Sequence, residues 1–173
     1  MIRLFVLTAL ILLGRAVQAA PLSGEFASID GGTFAIEDWR GQPVLVVNTA
    51  SDCGFTGQYA ALQKVYEIYS ERGLVVLAVP SDSFNQELGS AAEVKEFCEL
   101  NYDLTLPMTD ITPVKGADAH PFYLAVATQT GFVPRWNFNK ILLDSDGEVV
   151  ATFGANIKPE SPKLLRQVER LLP

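Results

Sequence analysis

Two runs of consecutive apolar residues stand out in the first half of the chain. Residues 43–47 read Pro-Val-Leu-Val-Val, and residues 74–79 read Leu-Val-Val-Leu-Ala-Val. Runs of branched aliphatic residues of this length are typical of strands buried on both faces of a sheet. The stretch between them carries apolar or aromatic side chains at helical spacing, at Leu62, Val65, Tyr66 and Tyr69. The pattern therefore predicts a strand, a helix and a second, parallel strand.

Weaker patterns on either side of this unit predict further elements. Residues 24–41 alternate around an Asp-Gly-Gly turn, which predicts a hairpin ahead of the main sheet. Ser90, with Glu93 three residues later, forms a capping box that predicts a helix over 91–100. A short strand is expected around residues 107–108. These elements extend the central unit in both directions.

The last third of the chain predicts two helices and a second hairpin. A His-Pro pair precedes a short apolar helix over 122–127, and residues 139–143 and 148–153 flank an Asp-Gly turn. Ser-Pro at 161–162 supplies the cap and the first-turn proline of a final helix. The order of elements resembles the thioredoxin-like fold, an α/β fold with a central mixed sheet flanked by helices. The first hairpin is then an N-terminal β-hairpin extension.

The N-terminus has the layout of a secretory signal peptide. A short positive start precedes an apolar run at residues 4–13, and small residues follow up to Ala19. The run is too short to span a bilayer comfortably. We expect cleavage near Ala19, which makes residues 1–19 the signal peptide and leaves 20–173 as a single domain. The mature protein is then periplasmic or secreted, and an uncleaved anchor is the alternative.

The charge of the mature chain excludes several classes of partner. Residues 20–173 hold 11 basic and 20 acidic residues, a formal net charge of −9. Nucleic-acid binding requires a basic footprint, and anionic lipid attracts basic segments, so neither partner is expected. No other segment approaches transmembrane length, so we expect no stable membrane association. One histidine and two distant cysteines offer no metal site, and the expected cofactor content is none.

Cys53 lies where the first buried strand gives way to the predicted helix. A helix N-terminus stabilises a thiolate, which is the reactive form of cysteine. A thioredoxin-type exchanger carries a Cys-x-x-Cys motif, and Thr56 stands where its second cysteine would be. The residues favour a cysteine that attacks a substrate itself. A structural disulfide with Cys98 and an exported disulfide-exchange protein remain alternatives.

Three separated segments resemble motifs of the glutathione peroxidase family. Residues 48–56, Asn-Thr-Ala-Ser-Asp-Cys-Gly-Phe-Thr, are similar to the signature around the peroxidatic cysteine or selenocysteine. Residues 80–89 are similar to the loop after the second strand, with one residue fewer than usual. Residues 136–140, Trp-Asn-Phe-Asn-Lys, are similar to the third motif. The resemblance covers about residues 26–172, with the motifs in the family's order.

This resemblance implies roles for four residues. Cys53 corresponds to the peroxidatic residue, and Gln86, Trp136 and Asn137 correspond to the other members of the catalytic tetrad. The implied activity is a thiol peroxidase that reduces hydrogen peroxide or organic hydroperoxides and leaves a sulfenic acid on Cys53. The two amides and the indole N–H are neutral donors, suited to a thiolate and a developing oxyanion.

The resemblance also implies a role for the second cysteine, Cys98, and a class of reductant. Cys98 is near the resolving position of cysteine-type members, so it either forms a disulfide with oxidised Cys53 or is a buried, inert thiol. The reductant is a thioredoxin-like protein or glutathione; the former is favoured, because the basic residues that contact glutathione in tetrameric members have no clear counterpart. The short segment between Pro121 and Trp136 resembles that of monomeric members. His120 is expected to be structural.

A redox sensor or relay would use the same residues. In such a protein, oxidised Cys53 passes a disulfide to a partner and does not turn over. Steady-state consumption of peroxide distinguishes the enzyme from the relay, because a relay is oxidised once and then waits for its partner.

Overall fold

The computed structural model describes residues 22–173, so the predicted signal peptide over 1–19 lies outside the described residues. The N-terminal hairpin pairs β1 (Glu25–Ala27) with antiparallel β2 (Thr33–Ala35) in a small sheet of its own. Its turn contains Gly31 and Gly32, both at positive φ, a conformation that glycine adopts without steric cost. The predicted hairpin extension is confirmed.

The main sheet of the described chain has four strands in the order β4-β3-β5-β6. Their bounds are β3 Val44–Thr49, β4 Val75–Pro80, β5 Lys140–Leu143 and β6 Val149–Phe153. β3 and β4 are parallel, whereas β5 pairs antiparallel with both β3 and β6. The sheet is therefore mixed, as predicted. The strand expected at 107–108 is only an isolated bridge between Met108 and Ala78.

Four α-helices accompany this sheet in residues 22–173: α1 Gln58–Tyr69, α2 Ala91–Tyr102, α3 Pro121–Thr130 and α4 Pro162–Leu171. The predicted caps are present, because Ser90 Oγ accepts from Glu93 N and Ser161 Oγ accepts from Leu164 N. Helices α2 and α3 extend beyond the predicted 91–100 and 122–127. Short 3₁₀ turns occupy Ile36–Trp39 and Ser70–Arg72.

Alternate residues of β3 face two separate apolar cores. Leu45 and Val47 pack with residues of α1, α2 and α4, whereas Val44 and Val46 pack with α3 and the N-terminal hairpin. Both faces of the central strand are buried, which is why its sequence is a continuous apolar run. The layered α/β arrangement confirms the predicted thioredoxin-like fold.

Candidate active site

Strand β3 delivers the chain to Cys53, which lies in a series of turns before α1. Thr56 N donates to Cys53 O at 3.0 Å, and Gln58 N donates to Phe55 O at 2.8 Å. Helix α1 begins at Gln58, five residues after the cysteine. Four turn residues therefore separate Cys53 from the first residue of α1. Cys53 is buried, with 6% of its surface exposed.

The loop after β4 reaches the same turns through two kinds of bond. Asp52 N donates to Gln86 O at 2.9 Å, which holds the Gln86 backbone beside the cysteine. Ser51 N donates to Glu87 Oε1 at 2.9 Å, and Leu88 N donates to the same oxygen at 3.0 Å. The Glu87 carboxylate thus joins the loop to the end of β3. Sequence reasoning missed this role, although Glu87 stands beside Gln86 in the loop motif.

A third segment supplies Asn137, which is completely buried. Its Nδ2 donates to Gln86 Oε1 at 3.0 Å, across 51 residues of sequence. Asn137 Oδ1 has no hydrogen-bond partner among the described residues. The two amides that the sequence predicted for the site are therefore hydrogen-bonded to each other, and the buried oxygen Asn137 Oδ1 has no partner among the described residues.

Asn48 organises the bend that presents Trp136 and Asn137. Asn48 Nδ2 donates to Trp136 O at 3.0 Å, and Asn139 N donates to Asn48 Oδ1 at 3.1 Å. Phe138 N donates to Asn48 O at 2.5 Å, and Phe138 has a φ of 60°. These bonds offset the cost of placing a bulky residue in the left-handed region. Asn48 opens the cysteine motif, which was the available signal for this role.

The Trp136 side chain forms an open rim of the site. Its residue exposure is 40%, and its ring packs on Phe84 with centroids 5.4 Å apart. Lys115 Nζ lies 4.1 Å from the Phe84 centroid on the loop beyond. The indole is thus supported by another aromatic side chain and remains accessible from solvent.

The structure brings the segments of the predicted site residues together but does not join every side chain. Gln86 and Asn137 are hydrogen-bonded to each other, whereas no hydrogen bond within residues 22–173 reaches the sulfur of Cys53 or joins the indole of Trp136 to the amides. In the resting site, the segments that carry the two amides and the indole therefore meet at the cysteine turn, but none of these groups donates a hydrogen bond to the Cys53 sulfur.

Cys98 lies on the inner face of α2, fully buried, and both cysteines are free thiols. Burial raises the pKa of Cys98 to about 12, which the neighbouring Tyr59 hydroxyl partly offsets. The charges of Glu87 and Glu99 raise that pKa further. In this conformation the Cys98 thiol is neutral near pH 7.

Two other notable residues are structural. Lys140 on β5 is completely buried and donates to Gln58 Oε1 and Ile157 O, both at 2.6 Å, so its ammonium bonds these groups and not Asp52. Burial lowers the pKa of Lys140 to about 7. The expected structural role of His120 fits its contacts, which include a hydrogen bond to Glu25 O and capping of α3.

Residues 22–173 contain no group of three or more histidine, cysteine or acidic side chains placed to hold a metal ion. None of the helices described is long and apolar enough to cross a bilayer.

Known proteins resemble this chain in sequence and in structure. The family model described as glutathione peroxidase matches residues 23–127. A glutathione peroxidase of Lactococcus lactis is 40% identical over 150 residues, spanning 83% of this chain and 94% of the relative. A hydroperoxy fatty acid reductase of Synechocystis is 38% identical over 156 residues, spanning 84% and 91%.

Solved structures agree with both the family and the fold. The crystal structure of Trgpx in its apo form superposes with a TM-score of 0.65 at 29% identity, covering 86% of this chain and 95% of that one. A thiol:disulfide interchange protein from Chlorobium tepidum, at 17% identity and a TM-score of 0.67, shares the thioredoxin fold alone; the alignment covers 91% of this chain and 99% of that one. The matches in sequence establish a thiol peroxidase. The chain belongs to the glutathione peroxidase family.

Proposed function

We propose that this protein reduces hydrogen peroxide and organic hydroperoxides at Cys53, with Gln86, Trp136 and Asn137 as the hydrogen-bond donors. The observation that carries the proposal is the 3.0 Å bond from Asn137 Nδ2 to Gln86 Oε1 beside the cysteine turn. Asn137 is fully buried and Gln86 is half-buried, so their amides are costly to desolvate without a purpose, and they supply donors that do not compete as nucleophiles.

In the first step the Cys53 thiolate attacks one peroxide oxygen and the O–O bond breaks. The departing oxygen takes up the proton that the thiol released, so the products are water or an alcohol and a sulfenic acid on Cys53. The Gln86 amide, the Asn137 amide and the Trp136 indole stabilise the charge that develops on the departing oxygen. Donors uncommitted to the sulfur in the resting site remain available for this oxygen.

In the second step Cys98 resolves the sulfenic acid. Its sulfur bonds to the Cys53 sulfur, the S–O bond breaks, and water leaves. A thiol reductant, a thioredoxin-like protein or glutathione, then returns two electrons to the disulfide by thiol exchange. Because Cys98 is buried on the inner face of α2, this step requires α2 to unwind locally.

The substrate range, setting and assembly are parts of the same proposal. The exposed Trp136 rim leaves room for hydroperoxides larger than hydrogen peroxide, and the Synechocystis relative is a hydroperoxy fatty acid reductase. The leader over 1–19 supports a periplasmic or secreted protein, and the short segment before Trp136 supports a monomer. The net charge of −9 over residues 20–173 supports a protein that does not bind membranes stably.

The decisive experiment is mass spectrometry of the mature protein after one equivalent of hydrogen peroxide. A Cys53–Cys98 disulfide is the expected product. A sulfenic acid on Cys53 that persists until an external thiol is added would remove Cys98 from the mechanism. Unmodified Cys53 would contradict the assignment of the reacting residue. A Cys98→Ser variant serves as the matched control, because it stops the sequence at the sulfenic acid.

A further inference from the structure

The loop that carries Gln86 has no regular secondary structure. It spans residues 81–89, between β4 and α2, and consists of turns and bends. A segment of this kind is not held by a ladder of backbone hydrogen bonds, so the place of each side chain depends on individual contacts. The position of the Gln86 amide therefore depends on the few bonds that join this loop to the cysteine turn.

Two adjacent residues of the loop bond to two adjacent residues of the turn. Asp52 N donates to Gln86 O at 2.9 Å. Ser51 N donates to Glu87 Oε1, also at 2.9 Å. Among the described residues, Glu87 is the only side chain of this loop that bonds to residues 50–57. Because two bonds fix a direction that one bond leaves free, the Glu87 carboxylate sets how the loop lies beside Cys53.

Glu87 is also tied into its own loop. Its Oε1 accepts a second hydrogen bond, from Leu88 N at 3.0 Å, and its backbone N donates to Asp82 Oδ1 at 3.2 Å. Asn85 N donates to Asp82 O at 2.9 Å, which closes the turn just before Gln86. The residues on both sides of Gln86 are thus linked through Asp82 and Glu87, so a displacement of the carboxylate is passed to Gln86.

The burial of Glu87 has a cost that its bonds to the backbone offset. The residue is half-buried, its Oε2 is buried without a hydrogen-bond partner, and none of the ion pairs within residues 22–173 includes it. Burial raises the pKa of Glu87, and the bonds from Ser51 and Leu88 oppose that rise. Hydrogen bonds from N–H groups to a carboxylate are stronger than those to a neutral acceptor. The carboxylate is therefore suited to anchoring this loop.

The other end of Gln86 is fixed by the amide of Asn137. Asn137 Nδ2 donates to Gln86 Oε1 at 3.0 Å, and Asn48 holds the bend on which Asn137 lies. Gln86 Nε2 donates to none of the described residues, so this N–H remains available to an oxygen in the site. The Gln86 amide thus lies between an anchor at Glu87 and a partner at Asn137, with its donor free.

We propose that Glu87 is a positioning residue of the peroxidase reaction, whose carboxylate binds Ser51 N and thereby holds the Gln86 amide where it donates to the departing oxygen. The proposal rests on the proposed function in one respect, that Gln86 is a donor to this oxygen. Glu87 itself acts only through Gln86. The position of its oxygen is what matters, and its charge is not required.

The test compares three substitutions of Glu87 by stopped flow with one equivalent of hydrogen peroxide. We expect Glu87→Ala to lower the rate constant for oxidation of Cys53 about 10-fold, because the Gln86 donor is displaced. Glu87→Gln keeps an oxygen for Ser51 N and should stay within about 2-fold of wild type. Glu87→Asp keeps the charge but withdraws the oxygens by one methylene, so it should be as slow as Glu87→Ala. The control Glu96→Ala removes an exposed carboxylate of α2 and should change nothing.

A second background shows whether Glu87 acts through Gln86. Gln86→Ala removes the donor, so adding Glu87→Ala to it should cause no further loss, because residues that act as a unit are not additive. A further loss of about 10-fold in the double variant would mean that Glu87 only supports the cysteine turn, and it would overturn the proposal.

The order of the Glu87 variants separates placement from charge. A slow Glu87→Gln with a fast Glu87→Asp would assign the effect to the charge and contradict the proposal, as would equal rates in wild type and Glu87→Ala. If Glu87→Ala does not fold, the order of the Gln and Asp variants decides. Failure of the proposed function would appear in wild type, as unmodified Cys53 after peroxide, whereas failure of this proposal leaves the oxidation of wild type intact.

Discussion

Cys53 and Cys98 belong to the same apolar core but are held in different ways. Cys53 lies in consecutive turns under loops that carry two amides and an indole, and its exposure is 6%. Cys98 lies inside a regular helix, fully buried, and burial raises the pKa of its thiol to about 12. Both thiols are buried, so burial alone does not decide the role of a thiol. The local backbone, which is a series of turns at Cys53 and a helix at Cys98, and the neighbouring donors separate the two.

Replacing each cysteine separately with serine should give the largest difference in peroxide consumption. We expect Cys53→Ser to lower peroxide consumption by roughly 10³-fold or more, because the nucleophile is lost. Cys98→Ser should retain the first oxidation and lose only turnover with a reductant that requires the disulfide. Stopped-flow consumption of one equivalent of peroxide, followed by steady-state assay, measures both. Equal losses in the first phase would erase the distinction between the two thiols.

Removal of a buried amide near Cys53 should have the next largest effect. Asn137→Ala takes the donor away from Gln86 Oε1 and should lower kcat/KM for hydrogen peroxide about 10²-fold. Asn101→Ala is the matched control, because Asn101 bonds only to Phe97 O one turn earlier on the surface of α2. Similar activity in the two variants would remove Asn137 from the reaction.

The indole on the open rim should contribute less than the buried amide. Trp136→Phe keeps an aromatic ring against Phe84 and deletes only the N–H, so we expect a loss of about 10-fold in kcat/KM, since donors near water are weaker. Trp39→Phe, in the 3₁₀ turn after β2, is the control. A loss as large as that of Asn137→Ala would show that the rim closes during the reaction.

The buried Lys140 should make the stability of the fold depend on pH. Its pKa is about 7 in the folded chain and near 10.4 when unfolded, so the unfolded state binds more protons between these values. The free energy of unfolding should therefore rise with pH from 7 to 9, relative to Lys140→Met, by roughly 1.4 kcal/mol per unit. Urea unfolding at several pH values measures this. Lys163→Met, an exposed lysine on α4, should show no such slope.

Cys98 should make the free energy of unfolding depend on pH with the opposite sign. Its pKa is about 12 in the folded chain and near 8.5 when unfolded, so above pH 8.5 the unfolded state binds fewer protons. The stability that wild type holds over Cys98→Ala should be complete below pH 8.5 and fall by roughly 1.4 kcal/mol per unit above it. Urea unfolding of both proteins at several pH values up to 10 measures this fall in the stability difference. A constant difference would mean that Cys98 is not desolvated.

Much of the site could be predicted because its residues are marked by local sequence. The continuous apolar run of β3 located the turn that holds Cys53, and Thr56 weakened the case for a disulfide exchanger, because it stands where the second cysteine of a Cys-x-x-Cys motif would be. The amides of Gln86 and Asn137 belong to motifs that are readable one segment at a time. Their direct hydrogen bond was not readable, because it depends on two loops folding against one turn.

The residues that sequence reasoning missed act through contacts between distant segments. Asn48 binds four backbone groups of the bend at 136–139, and Glu87 binds the end of β3. Such roles depend on tertiary packing, which no periodicity records.

The sequence by itself determined the order of elements, the fold class and the candidate for the reacting cysteine, because apolar runs, caps and motifs are local signals. Tertiary structure decided that Gln86 and Asn137 meet beside the Cys53 turn, and that Cys98 is completely buried in the core. The physical reason is that a thiol's reactivity depends on burial and on nearby donors and charges, and these come from segments far apart in the chain.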